Sequence, residues 1–354
     1  MSRFFSQKYA CLTPYTPGEQ PRDRRYIKLN TNESPFPPSP RAVAAAAEAA
    51  NGVQLYSDPA CIALRKTAAA RYGVKPEQVI CTNGSDEALN FAFMAFCDED
   101  HPAVFPDITY GFYSVFAQLN GIPYEEIPLN EDFSVPVEAY CGCGKTVFLA
   151  NPNAPTGINL PLDVIERIVA SNPDNIVIID EAYVDFGGMS AVKLIDKYEN
   201  LLVIQTFSKS RSMAGARLGL AFGCESLIRD LETLRYSTNP YNVNSMTLAA
   251  GVGALEDEAY FRENCEKIMA TRAWTAEKLT ELGFVYPESS ANFIFAKSAA
   301  ISGGELYGAL KDRGILVRHF ATERLSDYIR ITIGSDEQME TFIDTLKTIL
   351  EERA

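Results

Sequence analysis

Lys209 lies one residue beyond the apolar run LLVIQTF, in the stretch SKSRSMAGARLG. A buried ammonium loses its solvation, so such a lysine either reaches water or is held near neutrality for use as a nucleophile or base. Other apolar runs also end on polar groups. QVICTNG delivers Asn83, Gly84, Ser85 and Asp86; TVFLA delivers Asn151 and Asn153; NIVIID delivers Asp180 and then Tyr183. Ser208 precedes the lysine, and Arg217 lies eight residues beyond it. The chain has only two histidines, His101 and His319, and neither is near these segments, so the set makes a poor metal site and a poor hydrolytic triad.

The set does suit pyridoxal 5'-phosphate. An amine condenses with the cofactor's aldehyde, and partial burial beside a cation lowers the amine's pKa. A carboxylate at the ring nitrogen holds it protonated, which makes the ring an electron sink. A tyrosine hydroxyl can bond the ring's phenolic oxygen. Serine, arginine and the free N–H groups of a helix start neutralise a phosphate, and Gly84 lets backbone approach it closely. Taken singly, each residue also has a structural reading: Ser85 in an ordinary helix cap, Asp180 as a strand-end acid, Lys209 as a snorkelling surface lysine. The reading rests on their convergence.

Convergence requires elements that bring the ends together. From about residue 79, short continuous apolar runs alternate with helical patterns: QVICTNG, TVFLANP, NIVIIDEAY, LLVIQTF and LGLAFG, with DEALNFAFMAF and LDVIERIVAS between. That rhythm predicts a parallel sheet covered on both faces, whose ligand sits at the strands' carboxyl ends. RAVAAAAEAANG reads as a helix stopped at Asn51-Gly52, and Asp163 with Glu166 as a capping box. A long helical stretch is expected over about 243–282. ANFIFAK, GILVRHF and YIRITIG then read as strands, and the closing helix shows one apolar stripe (Met339, Phe342, Ile343, Leu346, Ile349, Leu350) with Ser335 and Gln338 as its capping box. The expected division is an extended N-terminal segment over 1–44 packing with the small domain, a large domain over 45–245 and a small α+β domain over 246–354.

Composition bounds the function. At roughly 150 residues per domain, 354 residues make two domains or one large one. Net charge is −14, from 32 basic and 46 acidic residues, which argues against a nucleic-acid surface and leaves room for a small anion held by local arginines. No run of about 18 apolar residues occurs, so no membrane span is expected. The first twenty residues lack the apolar core and cleavage site of a secretory signal, and a cytoplasmic location is expected. The eight cysteines (11, 61, 81, 97, 141, 143, 224 and 265) then read as reduced thiols packed as small hydrophobes, and Cys141-Gly142-Cys143 lacks the second pair a metal site needs.

The blocks KLNTNESPFPPSP, YSDPACIALR, TNGSDEAL, NPNAPTG, IIDEAY and TFSKSRSMAGARLG, in this order and spacing, resemble the fold-type I pyridoxal-phosphate aminotransferases of the aspartate aminotransferase superfamily, histidinol-phosphate aminotransferases above all. The resemblance runs from PYTPGEQP to YIRITIG. It implies an α/β fold, a large domain with a mostly parallel seven-stranded sheet between helices plus a smaller α+β C-terminal domain. It implies Lys209 as the Schiff-base lysine and proton shuttle, Asp180 at the pyridinium nitrogen and Tyr183 at the phenolic oxygen. Gly84, Ser85, Asp86, Ser208 and Arg217 would hold the phosphate, and Tyr110 would stack on the ring. Tyr56 would reach the neighbouring subunit's cofactor phosphate, which implies a homodimer. Arg330 would bind the substrate's anionic end, with Arg318 and Tyr15 as helpers and Asn32 in the segment covering the site.

The family usually carries Asn directly before Pro-Thr-Gly, bonded to the phenolic oxygen; here that position is Ala154, and the adjacent Asn153 is the expected substitute. The implied activity is transamination between histidinol phosphate and 2-oxoglutarate, with glutamate formed. An aromatic amino-acid aminotransferase or a pyridoxal-phosphate lyase of the threonine-phosphate decarboxylase kind would keep the same cofactor residues. A pyridoxal-phosphate-sensing regulator would need a DNA-binding domain, for which the Pro-rich first 40 residues are too short.

Overall fold

The computed structural model describes residues 2–10 and 12–353; Cys11, one of the expected packed thiols, lies outside the described residues. The Pro-rich N-terminal stretch is extended, as proline's fixed φ favours. It contributes one short strand, β1 (Ile27–Leu29), before the helices α1 (Pro40–Ala49) and α2 (Ile62–Tyr72). Ser39 caps α1 with Pro40 at its first position, and α1 closes in a 3-10 turn at Ala50–Gly52.

The apolar runs then build the main sheet: β2 (Val79–Thr82), β3 (Ala103–Pro106), β4 (Tyr124–Ile127), β5 (Thr146–Ala150), β6 (Val177–Asp180), β7 (Leu201–Thr206) and β8 (Gly219–Phe222). Their order is β2-β8-β7-β6-β5-β3-β4, and every pairing is parallel except the two that β8 makes. The helices α3 (Ser85–Phe96), α4 (Phe112–Asn120) and α5 (Leu162–Ala170) lie in the connections between them, and α6 (Glu225–Thr238) follows β8. Alternate strand residues enter two different cores. Val177 and Ile179 join one with Leu149 and Val203, while Ile178 joins the other with Phe148 and Leu202. Burial on both faces is why these strands read as unbroken apolar runs.

Beyond β8 the expected single long helix is two, α7 (Ser245–Glu256) and α8 (Glu258–Glu281), broken at Asp257 with φ −95° and ψ 61°. Leu248, Ala250 and Ala254 of α7 lie in the main-sheet core with Ala42 and Leu64, whereas Phe261, Cys265 and Ile268 of α8 enter the small-sheet core. The change of core therefore falls at Asp257, beyond the division expected at 245. The remaining elements are β9 (Phe284–Val285), β10 (Phe293–Ser298), α9 (Gly303–Asp312), β11 (Ile315–His319), β12 (Tyr328–Thr332) and α10 (Asp336–Glu351). With β1 they form a second sheet, β1-β11-β12-β10-β9, in which β1 runs parallel to β11, so the N-terminal segment supplies an edge strand of that sheet.

The apolar stripe of α10 is buried from Met339 to Ile349. Its capping box is present: Ser335 Oγ accepts from Gln338 N (3.3 Å) and Gln338 Oε1 accepts from Ser335 N (2.9 Å). The capping box expected at α5 is absent. Pro161 takes the cap position with φ −59°, Asp163 falls inside the first turn, and Glu166 turns to Lys197 and to Tyr198 Oη (3.0 Å). Of the seven described cysteines, all free, Cys61, Cys81, Cys97 and Cys265 are buried. Among the described residues no helix is long and apolar enough to cross a membrane.

Candidate active site

Strand register assembles the site. Ala150 pairs with Asp180, Asp180 with Ile204, and both Thr206 and Thr82 with Gly219, so the carboxyl ends of β2, β5, β6 and β7 meet at one edge of the sheet. Gly219 lets the turn into α3 lie against β8: a Cβ there would come within 2.5 Å of Gly84 C and 2.7 Å of Ser85 N. Gly84 itself has φ +79°, and a Cβ on it would meet Arg217 Nη2 at 2.6 Å. Both positions admit only glycine without displacing neighbours. The edge opens into an inner cavity of about 190 Å³ that is continuous with an outer one of about 560 Å³; Lys209, Tyr110, Ala154 and Tyr183 line both.

Lys209 projects from the turn after β7. Its Nζ donates to Thr31 O (3.1 Å) and lies 5.8 Å from the Tyr183 ring centre. Burial, reinforced by the Arg330 charge and opposed by Glu33 and Asp86, lowers its pKa to about 8. Its nitrogen is therefore a usable nucleophile and base near neutral pH. Asp180, 4% exposed, ends β6. Its Oδ2 accepts from Tyr113 Oη (3.0 Å), while Oδ1 is buried with no partner. Burial outweighs the Tyr113 bond and raises Asp180 to about 7. A buried carboxylate oxygen without a donor calls for a cationic N–H, which a protonated ring nitrogen supplies.

Around the start of α3, Gly84 N is already spent on Thr82 O (2.9 Å), and no side chain caps the helix, so Ser85 and Asp86 present the N–H groups. Ser208 Oγ accepts from Thr206 Oγ1 (3.0 Å) and from Arg217 Nη1 (3.4 Å). The Asp86 carboxylate accepts from Arg217 Nη2 (3.0 Å) and from Tyr110 Oη (2.7 Å). Only the main chain of Asp86 can therefore serve an anion; its side chain holds Arg217 and Tyr110 in place. Uncapped N–H groups, Ser208 and Arg217 together make an anion cradle of phosphate chemistry.

The outer cavity is lined by Tyr15, Arg318, Phe320, Arg324 and Arg330. Arg318 and Arg330 are direct cross-strand partners on β11 and β12. Neither forms an ion pair among the described residues. Arg330 Nη2 donates to Asn30 O (3.2 Å), its Nε is buried without an acceptor, and Arg318 makes only 3.4 Å bonds to Thr16 O and Pro17 O. Burial first, and then Arg318, lowers the pKa of Arg330. Like charges facing each other across a ladder are destabilising, so this pair is arranged for an anion. Arg324 is committed elsewhere, donating to Leu129 O (3.1 Å) and Asn130 O (2.8 Å). Tyr15 stacks on Phe112 at 4.2 Å.

One expected role meets a different geometry. Asn153 does not reach the cavity: its Nδ2 donates to Ile108 O (3.0 Å) and Thr156 Oγ1 (3.2 Å), and its Oδ1 accepts from Thr109 Oγ1 (2.9 Å). The methyl of Ala154 faces the cavity instead. Asn32, 1% exposed, lines the outer cavity and has its amide engaged by Tyr183 (2.9 Å) and Thr332 (3.0 Å). Tyr56 is 82% exposed, stacks on Tyr241 at 4.5 Å and lines neither cavity of its own chain. Tyr113, Thr31 and Glu33 belong to the site and were not singled out from sequence. Burial works to raise Glu33, but its bonds to Lys28 (2.6 Å) and Thr31 (3.0 Å) prevail and lower it. The available signals were the position of Tyr113 three residues after Tyr110 and the place of Thr31 and Glu33 in NTNESPF.

The family model described as aminotransferase class I and II matches residues 24–346. The histidinol-phosphate aminotransferase of Brachyspira hyodysenteriae is 48% identical over 353 residues, covering 99% of this chain and 100% of that protein. Histidinol-phosphate aminotransferase 2 of Dechloromonas aromatica is 49% identical over 355 residues, covering 99% of each. In fold, the chain is similar to the crystal structure of histidinol-phosphate aminotransferase from Sinorhizobium meliloti in complex with pyridoxal-5'-phosphate. The TM-score is 0.90 at 22% identity, covering 100% of this chain and 99% of that one.

Proposed function

The chain belongs to the class I and II aminotransferases, and on that premise we propose that it is a pyridoxal-phosphate-dependent transaminase acting on histidinol phosphate, with 2-oxoglutarate as acceptor and glutamate as product. The observation that carries the cofactor assignment is the buried, unpartnered Asp180 Oδ1 in the same cavity as the Lys209 amine. Pyridoxal phosphate supplies an aldehyde that condenses with amines and a ring that withdraws electrons from the adjoining carbon. Asp180 would hold the ring-nitrogen proton, and Tyr183 would donate to the phenolic oxygen. Ser208, Arg217 and the Ser85 and Asp86 N–H groups would hold the phosphate, and Tyr110 would flank the ring. Lys209 Nζ would move a proton from the substrate Cα to the cofactor's C4′ carbon in the first half-reaction and back in the reverse sense in the second, and a pKa lowered to about 8 leaves a usable neutral fraction near neutral pH.

Arg318 and Arg330, cross-strand partners, supply two positive charges to match a doubly charged phosphate. The full-length relatives named above point the same way. Tyr15 and Phe320 offer apolar faces to a flat ring. A second copy of the chain completes the site. Tyr56 and Tyr241 stack on each other, and both are exposed, as are Val53 and Leu55; their burial in a homodimer would bring Tyr56 to the partner's phosphate cradle. The proposed location is the cytoplasm.

The test is a substrate panel with 2-oxoglutarate: histidinol phosphate, phenylalanine, tyrosine and phosphothreonine. Glutamate formed fastest from histidinol phosphate is the expected result. Faster turnover of an aromatic amino acid, or release of CO2 without glutamate, would replace this reading with the aromatic transaminase or the lyase.

A further inference from the structure

Tyr183 Oη has one proton and two lone pairs, and the direction of that proton decides whether it can serve the cavity. The neighbours fix the direction. Asn32 N donates to Thr332 Oγ1 (3.0 Å), and a backbone N–H can only donate. The single proton of Thr332 is then left for Asn32 Oδ1 (3.0 Å). No other partner of Thr332 Oγ1 exists among the described residues, and Thr332 is 2% exposed. Reversing the Asn32 amide would strand the Thr332 proton, which costs about 1–3 kcal/mol. So Oδ1 stays on Thr332 and Nδ2 faces Tyr183, donating to Oη at 2.9 Å. Nδ2 cannot accept; the Tyr183 proton is turned away from it, toward the cavity.

Asn32 is built for this. It sits at φ +56°, a conformation that costs most side chains energy and that Asn tolerates better than most. Asn292 Nδ2 holds its carbonyl (3.1 Å), and Phe293, which pairs with Thr332 across β10 and β12, meets the Tyr183 ring edge-on at 5.1 Å. The opposite wall offers no competing donor, since position 154 is a methyl and the Asn153 amide is turned to Ile108 and Thr156.

We propose that Asn32, locked by Thr332, is a positioning residue that aims the Tyr183 proton into the cavity and thereby makes Tyr183 the donor that sets the charge state of the cofactor's phenolic oxygen. The inference rests on the cofactor reading above. A phenol that accepts one bond donates a stronger one. The donated bond favours the anionic oxygen, so weakening it favours protonation.

The test is the pH titration of visible absorbance of the cofactor-loaded protein. Asn32→Gly removes the amide yet tolerates positive φ; its titration midpoint should rise by about one pH unit, a tenfold change. Thr332→Val, which frees the amide to turn, should move the midpoint the same way by a smaller amount and serves if Asn32→Gly does not fold. In a Tyr183→Phe background, Asn32→Gly should add no shift. A midpoint that stays in place in Asn32→Gly, or in Thr332→Val where that serves, overturns the proposal. So does a shift that persists without the Tyr183 hydroxyl. An unmodified protein with no pH-dependent visible band would instead overturn the cofactor reading itself.

Discussion

Replacing Asp180 by Asn should make the ligand-free protein more stable at alkaline pH while weakening its hold on the cofactor. Asp180 is buried, and one of its oxygens has no donor. Its pKa rises from an ordinary 3.8 to about 7 in the folded chain. The folded state therefore binds its proton more tightly than the unfolded state does. The stability this confers is fully present below about pH 4 and is lost as the pH rises through about 7. A shift of this size corresponds to about 4 kcal/mol by pH 8.5, of which about 2 kcal/mol is lost between pH 5.5 and 8.5. Asn carries no charge to desolvate but forfeits the charge-assisted bond from Tyr113, about 1.5–3 kcal/mol. The difference between variant and parent should thus move by about 2 kcal/mol in the variant's favour from pH 5.5 to 8.5. Glu181, also buried and raised to about 7, adds a slope of the same sign to both proteins and cancels in the difference. Urea unfolding of the ligand-free proteins at the two pH values measures it, and titration with pyridoxal phosphate measures the affinity. A pH-independent difference would refute the claim that Asp180 bears a desolvation penalty. Unchanged cofactor affinity would refute its place at the ring nitrogen.

Three further outcomes are expected. Cofactor uptake by the ligand-free protein, followed by stopped-flow absorbance, should quicken as pH rises through about 8, because the Lys209 amine must lose its proton to react. Gly219→Ala should destabilise the fold by about 1–3 kcal/mol, read by denaturation, and weaken cofactor binding, since its Cβ would strike backbone at Gly84 and Ser85. Arg330→Gln and Arg318→Gln should each cut kcat/KM for a phosphate-bearing substrate by roughly 10- to 100-fold, the larger loss at the more buried Arg330.

Most of the main sheet was legible because its strands are buried on both faces; β2, β5, β6, β7 and β8 fall where their apolar runs lie, whereas β3, AVFP, is buried but was not read as a strand, its short run ending in proline. β4, YEEI, escaped because it is an exposed edge strand and carries two glutamates, which guard such an edge. β1 escaped because three residues have no period to read; its partner β11 lies nearly three hundred residues away. Lys209, Asp180, Tyr183 and Arg217 were legible as a set because the carboxyl ends of parallel strands converge. Asn153 was misplaced because adjacency in sequence says nothing about which way a side chain turns, and here three polar neighbours hold it. Asp86 was read as a phosphate ligand from its place at a helix start; the bonds from Arg217 and Tyr110 that occupy its carboxylate come from distant segments. Tyr113 and Asn32 bond Asp180 and Tyr183 over separations of 67 and 151 residues, and no local pattern encodes such contacts.

The central claim is that Lys209 carries the cofactor. Borohydride reduction of the protein loaded with pyridoxal phosphate, followed by peptide mass analysis, tests it directly. One stable cofactor adduct, on the peptide containing Lys209, is the predicted result. A reduced protein whose Lys209 peptide is unmodified, or whose adduct lies on another lysine, would contradict it.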